Sequence, residues 1–148
     1  MNSKKILLGH TIEVSELREL DVEQLEPILE EHVRDRNTHE IVLNEITEIK
    51  SYMRGEKDDN ARTRRYLVAR DETGKVWGCM AYSSPDPDMI KHFFIEDTNR
   101  VAELLNAFVS SEVLRGGGVG KKIFEAICHD AKENGKYTLV INSGPRYK

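Results

Sequence analysis

The sequence predicts an α/β protein with a mixed, mostly antiparallel central β-sheet and helices on both faces. Two strand patterns joined by a four-residue turn (71–74) indicate a hairpin, which is antiparallel. Later, a strand, a glycine-rich loop, an amphipathic helix and another strand form a β-α-β unit, whose strands are parallel. The 148 residues suffice for one core and contain no repeat or linker, so we expect a single domain over 1–148.

The first elements are predicted to be a strand and a helix. Apolar residues alternate loosely from Thr11 to Leu20, which is typical of a strand. Asp21 followed by Gln24 is a capping-box pattern, and apolar residues at helical spacing continue to Val33. Pro27 is expected to kink this helix or to delay its start, because proline lacks the amide hydrogen.

A second helix and the hairpin strands are predicted next. Asn37 and Glu40 repeat the capping signal, and helical apolar spacing continues from there to Met53. The charged segment that follows is expected to be an exposed loop. Strand patterns then cover Tyr66 to Arg70 and Lys75 to Ser83.

The C-terminal third predicts strand, helix and strand. No clear pattern covers Met89 to Asn99, but Arg100 to Val109 is an apolar strand pattern. Apolar residues from Val119 to Ala131 lie on one face of a helix, and Asn134-Gly135 is a typical helix end. Lys136 to Asn142 is expected to be the last strand.

Composition and charge narrow the function classes. A net charge of −4 argues against nonspecific binding of nucleic acid. Two cysteines form neither a disulfide framework nor a zinc site, and we expect no metal. The apolar stretches all fall short of the roughly 18 residues that cross a membrane, so a cytoplasmic protein without a membrane contact is expected.

A glycine-rich loop is the strongest functional feature of the chain. Four of the five residues at positions 116–120 are glycines, so main-chain amides there can approach a ligand closely. The helix that follows directs unpaired amides and a partial positive charge toward the loop. This arrangement predicts an anion site, most simply for phosphate or pyrophosphate.

Two common phosphate motifs do not fit this loop. A P-loop would need glycine where Arg115 stands and serine or threonine where Lys122 stands. The dinucleotide fingerprint, counted from Gly116, requires its third glycine at Lys121. The pattern [QR]-x-x-G-x-[GA] does fit, with its fixed positions at Arg115, Gly118 and Gly120.

With this motif between a strand and a helix, the chain resembles the GNAT (Gcn5-related N-acetyltransferase) superfamily. The resemblance implies acetyl-CoA as acyl donor and an amine-bearing acceptor. It also implies that the following residues bind the donor through the strand end, the loop and the next family motif: Phe108, Val109, Arg115, Gly116, Gly117, Gly118, Val119, Gly120, Lys121 and Asn142.

Glu103 is the candidate general base. It lies six residues before Val109 in an otherwise apolar strand, where family members that acetylate lysine often carry a glutamate. Partial desolvation there would raise the pKa of the carboxyl group toward useful values. The alternative is a charge at the strand end that points into solvent.

Two departures from the family pattern leave other functions open. The loop from Val109 to Arg115 is one residue longer than the usual spacing, and the sequence ends before the family's C-terminal helix and strands. A truncated chain, a CoA-binding sensor or scaffold, and a purely structural interaction domain are therefore alternatives to an enzyme. A sheet edge left exposed would be open to a partner chain, such as a second copy in a homodimer.

Overall fold

A computed structural model describes residues 11–113 and 118–141, which form one five-stranded sheet with four helices. A 3₁₀ turn at Thr98–Arg100 precedes the fourth strand. The elements in chain order are β1 (Glu13–Glu16), α1 (Glu19–His32), α2 (Leu43–Met53), β2 (Arg65–Arg70), β3 (Val76–Ser83), α3 (Pro87–His92), β4 (Val101–Val109), α4 (Val119–Glu133) and β5 (Thr138–Ile141).

The sheet has the strand order β1-β2-β3-β4-β5, so neighbours in sequence are neighbours in space. The first four strands pair antiparallel, and β5 pairs with β4 in parallel across the α4 connection. The predicted fold class is therefore confirmed. Parallel pairing at the end of the sheet follows from the helical crossover, which returns the chain to the start of the neighbouring strand.

Two apolar clusters hold helices against the two faces of the sheet. On one face, Leu25 and Leu29 of α1 pack with Val68 of β2 and are fully buried. On the other face, Ile123 and Ile127 of α4 are also fully buried. Each such side chain contributes about 1.5–3 kcal/mol by leaving water, so both helices are fixed to the sheet.

The predicted start of the first helix was wrong by several residues. The strand predicted from Thr11 to Leu20 covers only β1, and Leu20 is a helical residue that is 81% exposed. Asp21 lies inside α1, where its Oδ2 accepts the Arg18 amide at 2.7 Å. Gln24 bonds across to β3, because its Oε1 accepts the Val76 amide at 3.1 Å. The capping pattern was real, but both side chains serve other partners.

Three further boundaries differ from the predictions. The helix α1 begins at Glu19 and continues through Pro27 to His32, so Pro27 does not delay its start. The second helix begins at Leu43, because Asp35 holds the preceding segment in a turn by accepting the Asn37 amide at 2.8 Å. The segment without a clear pattern contains α3, whose start is capped by Asp86.

The hairpin turn is held by the carboxylate of Asp71. Its Oδ1 accepts the amides of Thr73 at 2.8 Å and Lys75 at 3.1 Å, and its Oδ2 accepts the indole Nε1 of Trp77 at 2.9 Å. Burial acts to raise the pKa of Asp71, but the hydrogen bonds from Thr73 and Trp77 outweigh it and lower the pKa to about 2.

This carboxylate makes stability depend on pH in a defined window. The folded pKa is depressed below the ordinary 3.8, so the contribution is present above about pH 4 and is lost as pH falls toward 2. We expect the carboxylate to contribute about 1–2 kcal/mol to the free energy of unfolding, a range already reduced for solvent screening. The measurement is urea unfolding of wild type and Asp71→Asn at pH 6 and pH 2.5. A stability difference that stays constant between these pH values would contradict the assignment.

Candidate functional site

Over the described residues, β5 pairs with only the first part of β4. Pairing between β4 and β5 runs from Val101–Thr138 to Leu104–Ile141, whereas β4 continues to Val109. Among the described residues, nothing pairs with β4 on that side over residues 105–109. We call residues 105–109 the open edge of β4.

A β-bulge lies in the middle of the open edge. The register between β3 and β4 shifts between the Cys79–Phe108 pair and the Ala81–Leu105 pair, so β4 carries an extra residue there. Asn106 within the bulge has a positive φ of 47°, a conformation that asparagine tolerates better than most residues. The bulge bends β4, and such bends turn a strand's main chain away from its neighbour.

The end of the open edge presents main-chain groups on the side away from β3. The Ser110 amide donates to the Trp77 carbonyl of β3 at 2.9 Å, so by the alternation of a strand Val109 faces the other way. The Val109 carbonyl oxygen is reached there by Nε2 of His32, which donates to it at 2.7 Å. The Val109 carbonyl therefore accepts from α1 and not from β3, and a ligand that paired here as an added strand would compete with His32 for it.

The α4 helix begins directly beside the end of the open edge. Gly118 caps it with φ 89°, a left-handed conformation that favours glycine. The first intrahelical bond runs from the Lys122 amide to the Gly118 carbonyl at 2.9 Å, so the amides of Val119, Gly120 and Lys121 have no acceptor within the helix. Unpaired amides at the start of a helix carry a partial positive charge, which is the feature that favours anions at such positions.

The strand end and the helix start lie side by side. A methyl group built at Gly120 would lie 3.7 Å from Cγ2 of Val109, which is ordinary van der Waals distance. On the other side of β4, a methyl group at Gly78 would lie 2.8 Å from the Phe108 carbonyl oxygen. The bare main chain at Gly78 therefore lets β3, β4 and α4 approach closely.

The structure brings together most of the predicted binding residues that it describes. Phe108 is buried and Val109 half-buried at the open edge, and Gly118, Val119 and Gly120 form the α4 start. The Lys121 side chain is 81% exposed, with Nζ 3.9 Å from Glu125. The remaining predicted residues lie outside the described residues: Arg115, Gly116, Gly117 and Asn142.

Glu103 is buried, and the alternative of a solvent-facing charge was wrong. The residue is 3% exposed, on the part of β4 that pairs with β5. Its Oε1 accepts the Arg62 guanidinium Nη1 at 3.1 Å and the Asp86 amide at 2.9 Å. The carboxylate is thus held in a buried ion pair two residues before the open edge.

The ion pair continues into a larger buried group of charges. Asp58 Oδ2 lies 3.1 Å from Arg62 and 3.3 Å from Arg64, and these side chains are almost fully buried. Burial acts to raise the pKa of Asp58, but hydrogen bonds from the Arg62 amide and guanidinium outweigh it and hold the pKa below its ordinary value. Two arginines balance the carboxylates of Asp58 and Glu103, so the group is neutral and internally satisfied.

Sequence reasoning missed three residues at the site: His32, Arg62 and Asn106. His32 is exposed near the end of α1, and the charged segment that contains Arg62 was expected to be an exposed loop. Local pattern could not place either residue at the site, because their partners are distant in the chain. Asn106 breaks an apolar strand pattern with a residue that tolerates positive φ, and that single signal could have located the bulge.

The described part of the chain contains neither a metal-binding cluster nor a helix suited to cross a membrane. Residues 11–113 and 118–141 contain no group of three or more histidine, cysteine, aspartate or glutamate residues arranged to hold a metal ion. Within the same ranges, the helices lack the combination of length and apolar character that crossing a membrane requires.

The model of the acetyltransferase (GNAT) family matches residues 25–145. The chain belongs to this family. The match spans the helices, the hairpin, the open edge and the α4 start, so the GNAT assignment rests on most of the chain. No curated protein matches the sequence at a significant level.

Solved structures share the GNAT fold at low sequence identity. The Trypanosoma brucei acetyltransferase has TM-score 0.59 and 18% identity, over 90% of this chain and 84% of that one. The ribosomal-protein-alanine N-acetyltransferase of Brucella melitensis biovar Abortus has TM-score 0.61 and 19% identity, over 92% and 82%. A GNAT-family acetyltransferase of Staphylococcus aureus has TM-score 0.63 and 14% identity, over 90% and 74%.

Proposed function

We propose that this GNAT protein is an N-acetyltransferase that moves an acetyl group from acetyl-CoA to a primary amine by direct attack. The observation that carries the proposal is the open edge of β4 running into the uncapped start of α4. The open edge offers main-chain pairing, and the helix start offers unpaired amides to an anion. Val109 at the end of the edge lies next to Gly120 in the helix start. A ligand with an amide-containing arm and a pyrophosphate needs both features side by side.

The residues at this place fit such a donor. The amides of Val119, Gly120 and Lys121 would hold the pyrophosphate, and Gly118 and Gly120 leave room for close approach. The main chain of Val109 would pair with the arm. Bound there, acetyl-CoA supplies an activated thioester; the protein's own part is to bind it in an extended form and to fix the direction of attack.

Glu103 is proposed to take the proton from the attacking amine. General bases contribute typically 10²–10⁴-fold to a rate, so we expect Glu103→Gln to lower kcat by at least about 100-fold. The same change removes one of the two buried carboxylates that pair with the Arg62 guanidinium, and stability should fall as well. The measurement is thiol release from acetyl-CoA together with urea unfolding.

Arg62→Met is the matched control for Glu103→Gln. It breaks the same ion pair from the other side, together with the pair between Arg62 and Asp58, and leaves the Glu103 carboxylate in place. If Glu103 acts as the base, kcat should fall much further in Glu103→Gln than in Arg62→Met. Equal kcat in Glu103→Gln and wild type, with only stability reduced, would show that Glu103 has a structural role alone.

The proposed reaction is tested by thiol release from acetyl-CoA over a panel of amines that includes peptide N-termini, lysine peptides, amino sugars and polyamines. Turnover of any of them supports the enzyme. CoA binding without turnover on the whole panel would favour a sensor or scaffold, a role consistent with the engagement of Glu103 by Arg62 and Asp86. Failure to bind CoA would exclude both functions.

A further inference from the structure

The amide of Asn106 has a buried donor that the protein itself does not use. The residue is 4% exposed, and its Nδ2 has no hydrogen-bond partner in the described part of the chain. Buried donors are nearly always paired, because an unpaired one loses its hydration without compensation. Such a group beside an unpaired stretch of strand indicates a position where a ligand could complete the bonding.

The other end of the same amide is firmly held. Its Oδ1 accepts Nη1 of Arg64 at 2.7 Å and the hydroxyl of Tyr66 at 2.5 Å. Two donors fix which end of the amide is oxygen, because the guanidinium can only donate. Both partners come from β2 and the segment before it, on the β3 side of β4. The Nδ2 end is therefore turned away from them.

Asn106 also lies where an arm along the open edge has to end. From the α4 start, such an arm runs along β4 from Val109 toward Leu105. It cannot pass Leu104, because there β5 pairs with β4 and takes up the edge. The reactive end of a donor bound in this way comes to rest beside the bulge, within one or two residues of Asn106.

We propose that Nδ2 of Asn106 donates a hydrogen bond to the acyl carbonyl oxygen of bound acetyl-CoA. This inference rests on the proposed function and names a side chain that contacts the reacting group. The bond orients the carbonyl in the bound donor, and it strengthens as the oxygen gains negative charge during attack. The contacts with Arg64 and Tyr66 hold the amide ready, so it needs no rearrangement when the donor binds.

The test compares two ligands that differ only in the carbonyl oxygen. S-ethyl-CoA has a methylene where acetyl-CoA has the carbonyl, and both are measured by calorimetry. Asn106→Asp keeps an oxygen for Arg64 and Tyr66, tolerates the positive φ and removes the donor. We expect the dissociation constant for acetyl-CoA to rise roughly 3- to 10-fold, with that for S-ethyl-CoA changed less than twofold.

Tyr66→Phe is the control, because it removes a bond on the Oδ1 side and keeps Nδ2. It should change the dissociation constants for acetyl-CoA and S-ethyl-CoA by the same factor. If Asn106→Asp weakened the binding of both ligands by the same factor, the inference would be overturned and the proposed function would stand. Wild type that binds neither ligand would overturn the inference together with the proposed function.

Discussion

We expect Gly120→Glu to bind CoA about 100-fold more weakly than Gly120→Gln. Gly120 is the second residue of α4, and its amide is one of the three that the helix leaves for an anion. A carboxylate there opposes the pyrophosphate at short range. Two like charges about 4 Å apart near a protein surface repel by about 4 kcal/mol before screening by salt, and about 2.7 kcal/mol corresponds to the expected factor.

The same substitution should not weaken the fold. A negative charge in the first turn of a helix is favourable by about 0.3–1 kcal/mol, and the first turn of α4 contains no acidic residue. The added Cβ meets Val109 Cγ2 at 3.7 Å, which is ordinary contact. Gly120→Glu is therefore expected to unfold at the same urea concentration as Gly120→Gln or slightly above it, although it binds CoA about 100-fold more weakly.

Binding is measured by calorimetry with CoA at two salt concentrations. Glutamine has the same size as glutamate without its charge, so the difference between the two variants isolates the electrostatic part. Raising the salt concentration should narrow that difference. Equal CoA affinity in the two variants would place the pyrophosphate somewhere other than the start of α4.

The largest expected loss of stability comes from the buried pair of Asp21 and Arg70. Arg70 Nε donates to Asp21 Oδ1 at 3.0 Å, and a second guanidinium nitrogen contacts Oδ2. Arg70 also bonds the hydroxyl of Ser15 and the Glu16 carbonyl at 3.0 Å, so it ties α1 to β1 and β2. Both members of the pair are less than a tenth exposed.

Asp21→Asn should lower the free energy of unfolding by about 3 kcal/mol, because it leaves a buried guanidinium without its carboxylate. Glu19→Gln is the matched control. It breaks the Arg54–Glu19 pair at the surface, where Glu19 is 71% exposed, and should change stability by less than about 1 kcal/mol. Urea unfolding measures both variants, and similar losses in the two would contradict the assignment.

Local rules predicted much of this molecule correctly. The turn at 71–74, the glycine-rich start of α4 and the helix end at Asn134-Gly135 each depend on residues close together in sequence. A β-α-β unit has parallel strands whatever surrounds it, so the sheet type also followed from the order of elements. The same local features supported the family resemblance, which the match over residues 25–145 confirms.

The errors occurred where distant residues compete with local signals. Asp21 and Gln24 form a capping pattern, yet Arg70 and Val76 bind them from β2 and β3, about 50 residues away. A sequence window cannot weigh a partner that far along the chain. Asp21 caps the helix from its third residue by accepting the Arg18 amide, and the same carboxylate binds Arg70.

By itself, the sequence determined the sheet with its parallel end, because this follows from local pattern and chain order, and it predicted an anion site after β4. The tertiary structure decided what surrounds that site. It paired Glu103 with Arg62 from 41 residues away and brought His32 to Val109 across 77 residues. It also left the Nδ2 of Asn106 as an unused donor. These outcomes depend on which side chains packing brings together, and burial then makes each unpaired polar group energetically significant.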